Sequence, residues 1–283
     1  MARQRSNKIA FQGEPGANSH LACRDAYPAM EPLPCPTFED ALAAAKGGEA
    51  KLAMIPIENS VAGRVADIHH LLPDSGLYIV AEHFERVRHQ LLTLPGVKLK
   101  DLKSVHSHTM ALGQCRKIIR ELKLKPVSEA DTAGAARTLR ESGDKTAAVI
   151  ASALAAEVYG LEVARADIED AEHNTTRFVI LADKPGDVPF GDGPVVTTFV
   201  FRVRNVPAAL YKALGGFATN GVNMIKLESY VDAGFNQAQF YAEIVGHPAQ
   251  PGVRNAFEEL AFFSHDVERL GVYPAHAFRF RAP

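Results

Sequence analysis

Short apolar runs alternate with longer segments of helical period from residue 8 to about residue 183, and no other feature of the chain restricts its fold as much. A strand covered on both faces reads as a brief apolar run, and the helix that returns along it reads as a 3.6-residue pattern. Their alternation is the sequence habit of an α/β sheet. The pattern predicts strands at Lys8–Gln12, Leu52–Ile57, Ser104–His106, Ala147–Ile150 and Arg177–Leu181. It predicts helices at Asn18–Tyr27, Phe38–Lys46, Arg64–Leu72, Thr109–Leu122, Asp131–Arg140 and Ser152–Tyr159, with Leu77–Leu94 extended. In the helix over 109–122, Leu112, Cys115, Ile118, Ile119 and Leu122 share one face.

The alternation stops at Asp183–Pro194, where three prolines and three glycines fall within twelve residues. That composition marks a linker. Beyond it the reading is strand 195–204, helix 207–219, strands 223–231 and 237–246, helix 253–263 and strand 267–273. This βαββαβ order predicts a small ferredoxin-like domain. A length of 283 residues agrees, since one domain takes roughly 150.

Charge removes several classes of function. Thirty-one Lys and Arg stand against 33 Asp and Glu, a formal charge of -2, so no strong field draws nucleic acid or an anionic membrane. The basic stretch 98–125 does not change this, because Arg116, Lys117 and Arg120 lie opposite the apolar stripe of their helix and solvate it. No apolar run approaches the roughly 18 residues that span a bilayer. The basic start Met1–Lys8 is followed only by Ile9–Phe11, too little for an export signal. Cys23, Cys35 and Cys115 are odd in number and widely spaced, which fits reduced thiols and a cytoplasmic protein.

Five stretches run from an apolar strand into small, hydroxyl or amide residues just before a helix. They are Gly13–Ser19, Glu58–Gly63, His106–Thr109, Asp131–Gly134 and Asn174–Arg177. Helix starts offer free N–H groups and a partial positive charge, so such turns, converging at the carboxyl ends of strands, suit a small anion. Taken singly, each hydroxyl is equally an N-cap. His106 and His108 have the HxH spacing of a metal pair, but no carboxylate or Cys stands at a supporting distance, and no metal is expected. Nucleotide cradles and a GxSxG elbow are missing from the sequence, and no cofactor is expected.

The stretches Ile9–His20, Pro56–Gly63 (Pro-Ile-Glu-Asn-Ser-Val-Ala-Gly), Val105–His108, Asp131–Ala136 and Thr176-Arg-Phe178 resemble, in order and spacing, the signatures of prephenate dehydratase. Asn205–Leu210 and Lys226–Ser229 resemble the ACT regulatory domain that follows the catalytic part in that family. The resemblance implies an α/β catalytic domain over 7–184 with two lobes like those of periplasmic binding proteins. Lobe 1 would hold about 7–80 and 166–184, and lobe 2 about 81–165. A linker at 185–194 and a ferredoxin-like ACT domain at 195–278 would follow. The implied reaction is decarboxylating dehydration of prephenate to phenylpyruvate in L-phenylalanine biosynthesis. Arogenate dehydratase is the enzyme alternative, and an amino-acid-sensing binding protein without chemistry is the alternative of another class.

The family ties catalysis to the threonine of Thr-Arg-Phe, which implies Thr176. Asn59, Ser60, Ser107, Thr132, Arg177 and Phe178 are expected to bind substrate. Thr109-Met110 stands where the family has Pro-Gln, which leaves that glutamine's role unfilled or moved. The ACT likeness implies L-phenylalanine as effector, held by Asn205, Ala208, Ala209, Leu210, Glu228 and Ser229, in a homodimer or homotetramer. Tyr230-Val231 replaces the family's Arg-Pro at that site.

Overall fold

The computed structural model describes residues 6–171, 173–204, 206–231 and 238–280. The elements begin with β1 (Lys8–Gln12), α1 (Asn18–Ala26), β2 (Glu31–Cys35), α2 (Phe38–Lys46), β3 (Leu52–Asn59), β4 (Gly63–Arg64), α3 (Ala66–Asp74) and β5 (Tyr78–Arg86). Next come β6 (Gln90–Thr93), β7 (Ser104–His108), α4 (Thr109–Gln114), α5 (Arg116–Glu121), β8 (Lys125–Glu129), α6 (Thr132–Ser142), β9 (Ala147–Ala151), α7 (Ala153–Tyr159), β10 (Glu162–Arg165) and β11 (Thr175–Ala182). The chain continues with β12 (Val195–Val203), α8 (Ala209–Thr219), β13 (Asn223–Val231), β14 (Ala238–Val245), α9 (Pro251–Phe263) and β15 (Ser264–Pro274). No helix among the described residues is long and apolar enough to cross a membrane.

The chain divides into two compact units, one of Met1–Val65 with His83–Phe178 and one of Ala66–Glu82 with Val179–Pro283. In the first unit β1 runs parallel between β2 and β3. A second sheet of this unit has the order β10-β6-β9-β7-β8, parallel across β9-β7-β8 and antiparallel at β6 and β10. Its faces carry two apolar clusters, one around Ala136, Val149 and Ala155, the other around Leu91, Val105, Cys115 and Ile150.

The sequence reading does not contain β2, β4 or β8, and for β2 and β8 the reason is physical. β2 is Glu-Pro-Leu-Pro-Cys and β8 contains Pro126, and both lie at sheet edges, where a missing N–H faces away from the ladder. Edge strands also lack the continuous apolar run that marks a central one. The helix expected over 109–122 is interrupted at Cys115, which has φ -126° and ψ 35°. Asp170 accepts from the N–H groups of Arg116 and Lys117 and starts α5 afresh. The expected extended segment 77–94 divides into β5 and β6.

In the second unit the strand order β13-β14-β12-β15, antiparallel throughout, with α8 and α9 between strands in the chain, is the ferredoxin-like βαββαβ arrangement. Phe199, Phe201, Phe217, Phe240 and Leu260 fill its core. Residues 66–80 and 179–184, which the sequence reading groups with lobe 1, fall in this unit. There β5 runs parallel to β15 at Ile79 and Gly271, and a Cβ on Gly271 would lie 2.2 Å from the Ile79 carbonyl oxygen.

Candidate active site

The Asn59 turn is built by its own amide. Asn59 Oδ1 accepts from Val61 N at 2.9 Å and from Ala62 N at 2.8 Å, an Asx-type turn at the end of β3. This fixes which end of the side chain carries nitrogen, because only oxygen can accept from two N–H groups. The Nδ2 atom then donates to Asn174 Oδ1 at 2.7 Å and to Thr176 Oγ1 at 3.0 Å. Asn174 is 1% exposed. With its oxygen accepting, its nitrogen donates to Gln114 Oε1 at 3.0 Å. The same Gln114 oxygen meets His89 Nε2 at 2.8 Å.

Two donors are left over. Thr176 Oγ1 accepts from Asn59 and makes no other hydrogen bond among the described residues, so its proton is available. Gln114 has spent its oxygen on two partners, and its Nε2 bonds to none of the described residues. Both groups are half-buried. Ser60 locks the frame: Oγ donates to His173 O at 2.6 Å and accepts from Thr175 N at 2.9 Å, while Ser60 N donates to Thr175 O.

The structure therefore brings together Asn59, Ser60 and Thr176. Ser107 is fully buried, and its hydroxyl donates to Ile150 O at 2.6 Å, on the face of β7 opposite His106 and His108. Thr132 is the first residue of α6, and Asp131 before it caps the helix by accepting from Gly134 N at 2.7 Å. Arg177, 3% exposed, pairs with Glu58 Oε1 at 2.9 Å beside the Phe84 ring. Phe178 is core, at 1% exposure. Of the five turns, Gly13–Ser19 is held on α7, where Ser152 Oγ donates to Gly16 O and Tyr159 OH to Pro15 O. Gly16 has φ +91°, and a Cβ there would meet Ala155 Cα at 2.8 Å, so only glycine fits. His20 Nδ1 accepts from Gly16 N at 3.0 Å, and burial, then Arg24, pull its pKa down, which keeps it a neutral acceptor.

A cleft of about 390 Å³ lies along Gln12, Glu14, Pro34, Pro36 and Asp131. It carries two carboxylates, which disfavour an anion. The cluster of neutral donors at Thr176 and Gln114 does not. Both ring nitrogens of His106 are taken, by Glu129 Oε1 at 3.0 Å and Ser104 Oγ at 3.1 Å, and His108 Nδ1 accepts from Met110 N. Asp25, His83 and Glu85 are the one set of three metal-type donors among the described residues, with His83 Nε2 3.4 Å and 3.3 Å from the two carboxylates. Burial pushes the Cys23 thiol up to about 12 and raises Cys35 and Cys115, so none is a ready nucleophile.

In the second unit, Ala208 takes the left-handed conformation at φ +60° and precedes α8, Ala209 is buried, and Leu210 is half-buried. Glu228 pairs with Lys226 at 3.5 Å, and Ser229 is exposed on β13. Asn205 lies outside the described residues. Sequence reasoning placed Asn174 in a turn without assigning it a role, and missed Gln114 and His89. Gln114 ends α4 at the break that periodicity does not register, and His89 sits within a run read only as extended. A lone Gln or His in such company carries no separate signal.

A two-sheet α/β unit with a site of neutral hydrogen-bond donors suits an enzyme that orients a small anion. A family model described as prephenate dehydratase matches residues 9–186, well over half the chain. The chain belongs to that family: it is a carbon–oxygen lyase of L-phenylalanine biosynthesis that takes prephenate to phenylpyruvate. It is 55% identical to a protein of Komagataeibacter europaeus named bifunctional N-acyl-homoserine lactone acylase/prephenate dehydratase, over 96% of this chain and 97% of that one. It is 38% identical to arogenate dehydratase/prephenate dehydratase 1, chloroplastic, of Arabidopsis thaliana, over 96% of this chain and 73% of that one. A solved prephenate dehydratase from Arthrobacter aurescens, in complex with L-Phe, superposes with a TM-score of 0.86 at 31% identity, covering 95% of this chain and 90% of that one.

Proposed function

We propose that the first unit performs this reaction at Thr176, whose hydroxyl donates to the departing ring oxygen. The observation that carries the proposal is the 3.0 Å hydrogen bond from Asn59 Nδ2 to Thr176 Oγ1. By occupying a lone pair of the hydroxyl, it turns the Thr176 proton outward. In the reaction the ring C–O bond breaks, the ring carboxylate leaves as carbon dioxide, and its bonding pair enters the ring. Aromatisation drives the step, and one proton joins the departing hydroxide as water. A threonine hydroxyl is too weak an acid to surrender its proton to leave an alkoxide beside neutral amides. Thr176 is therefore a donor that stabilises the developing charge, and the proton comes from solvent. Gln114 Nε2 is the second donor to the substrate. Asn59 and Ser60, with their polar atoms committed to the turn, hold Thr176 in position.

The turns at Ser107 and Thr132 contribute through backbone N–H groups, and Arg177 and Phe178 support the strand from within. Residues 7–184 are read as the catalytic domain in two lobes, and 195–278 as an ACT domain in a cytoplasmic homodimer or homotetramer. The L-Phe complex of the Arthrobacter relative supports L-phenylalanine as effector here, at the α8 start and β13. Calorimetric titration with L-phenylalanine is expected to show binding heat and a lowered initial rate. No heat at millimolar ligand with unchanged rates contradicts this part.

Two alternative substrates follow from the relatives. Arogenate differs from prephenate only in an amino group for the side-chain keto group. The 55% end-to-end identity to the bifunctional Komagataeibacter protein supports a second reading, hydrolysis of N-acyl-homoserine lactones. Purified protein assayed separately with prephenate, arogenate and an N-acyl-homoserine lactone decides among them. Prephenate is expected to give phenylpyruvate absorbance at the highest kcat/KM. Turnover of either other compound alone overturns that order.

A further inference from the structure

The backbone N–H groups of Val61 and Ala62 set a hydrogen-bond direction that runs through four side chains. They force Asn59 Oδ1 to accept, so Asn59 Nδ2 donates to Asn174 Oδ1. Asn174 Nδ2 must then donate to Gln114 Oε1, so the Gln114 oxygen accepts at both of its contacts. The last contact is His89 Nε2 at 2.8 Å, and only a protonated Nε2 satisfies it. His89 is 3% exposed, and its backbone is fixed from both sides, its N–H donating to Glu169 Oε2 at 2.9 Å and its C=O accepting from Ile168 N.

We infer that His89 is a positioning residue for catalysis: as the neutral Nε2–H tautomer it closes the amide chain, holding Gln114 so that its NH2 faces the substrate and not the protein. The inference rests on the proposed site at Thr176 and adds to it what fixes the second donor. Without a donor at position 89, one lone pair of Gln114 Oε1 is open and the amide loses half of its anchoring. The side chain can then turn its oxygen toward an anionic substrate, which repels it. Burial, the largest influence, lowers the pKa of His89, against smaller opposing effects of Gln114 and Glu169, so the ring stays neutral at working pH.

Four variants and one spectrum test this. His89→Leu removes the donor while filling the space, and kcat/KM for prephenate is expected to fall about tenfold, as for one hydrogen bond of ordinary strength. His89→Gln places an amide N–H near the position of Nε2 and is expected to restore activity to within about threefold of wild type. Gln114→Leu combined with His89→Leu is expected to be no worse than Gln114→Leu alone, since both act through one donor. The ¹⁵N shifts of His89 should report the Nε2–H tautomer in the resting protein. A His89→Leu enzyme with wild-type kcat and KM, or an Nδ1–H tautomer, overturns the inference. If instead wild-type protein turns over no prephenate, the Thr176 reading fails first, and the tautomer measurement still judges the chain of amides.

Discussion

Each unit buries a polar cluster, and the two are built on opposite principles. In the first unit Asn59, Asn174, Gln114 and His89 are neutral, each oriented by the one before, and the chain ends with unspent donors on Thr176 and Gln114. In the second, Glu82 and Glu243 are buried carboxylates joined by one guanidinium. Arg279 donates to both oxygens of Glu82 at 2.7 Å and 2.8 Å and to Glu243 Oε2 at 3.3 Å. His276 N adds a further donor to Glu82, and Tyr241 OH donates to Glu243 Oε1 at 2.6 Å. Each of the four carboxylate oxygens of this cluster meets a donor. The two clusters differ in what their donors serve: in the second unit they meet fixed carboxylates, whereas in the first a donor on Thr176 and one on Gln114 meet no acceptor among the described residues.

The contrast breaks most visibly at Arg279. Arg279→Ala leaves two carboxylates buried without their cation, and breaking a buried pair from one side costs about 3–5 kcal/mol. Denaturant titration is the measurement. Adding Glu82→Gln to Arg279→Ala should recover part of the loss, since the residual charge is then halved. A change below about 0.5 kcal/mol in the single variant, the ordinary range of a surface substitution, would mean that water reaches both carboxylates.

The first unit also responds to pH, with a smaller effect, through two histidines, His89 of the neutral cluster and His20 beside the Gly13–Ser19 turn. Burial is the leading cause that lowers the pKa of His20 and His89 from the ordinary 6.5. The unfolded chain then binds more protons near pH 6 than the folded one, so stability rises with pH there. The contribution is whole above 6.5 and is lost as pH falls toward the lowered values. Thermal melts at pH 7.5 and pH 5.5 should show a lower Tm at the acid end, and replacing His20 with a neutral amide should reduce the difference. An unchanged difference in that variant would place the dependence on other groups.

Much of the fold was legible because its central elements obey strong local rules. β1, α2 and β13 fall where periodicity puts them, to the residue. β2 and β8 escaped because proline, which argues against a strand, is tolerated at an edge that the sequence does not announce. The α4–α5 break escaped because Cys115 continues the apolar stripe; its cause is Asp170, more than fifty residues along the chain. The site divides in the same way. Thr176, Asn59 and Ser60 lie in recognisable strand-end turns, whereas Gln114 and His89 gain their meaning only from an interaction made in three dimensions.

Steady-state turnover of prephenate by wild type, Thr176→Ala and Thr176→Ser tests the central claim most directly. A hydroxyl that contacts the leaving oxygen mainly in the transition state should affect kcat and leave KM within a few-fold. Thr176→Ala is expected to lose about 10²-fold or more in kcat, the range for removing one donor to developing charge, while Thr176→Ser, which keeps the donor, retains appreciable activity. A Thr176→Ala enzyme with wild-type kcat would contradict the account.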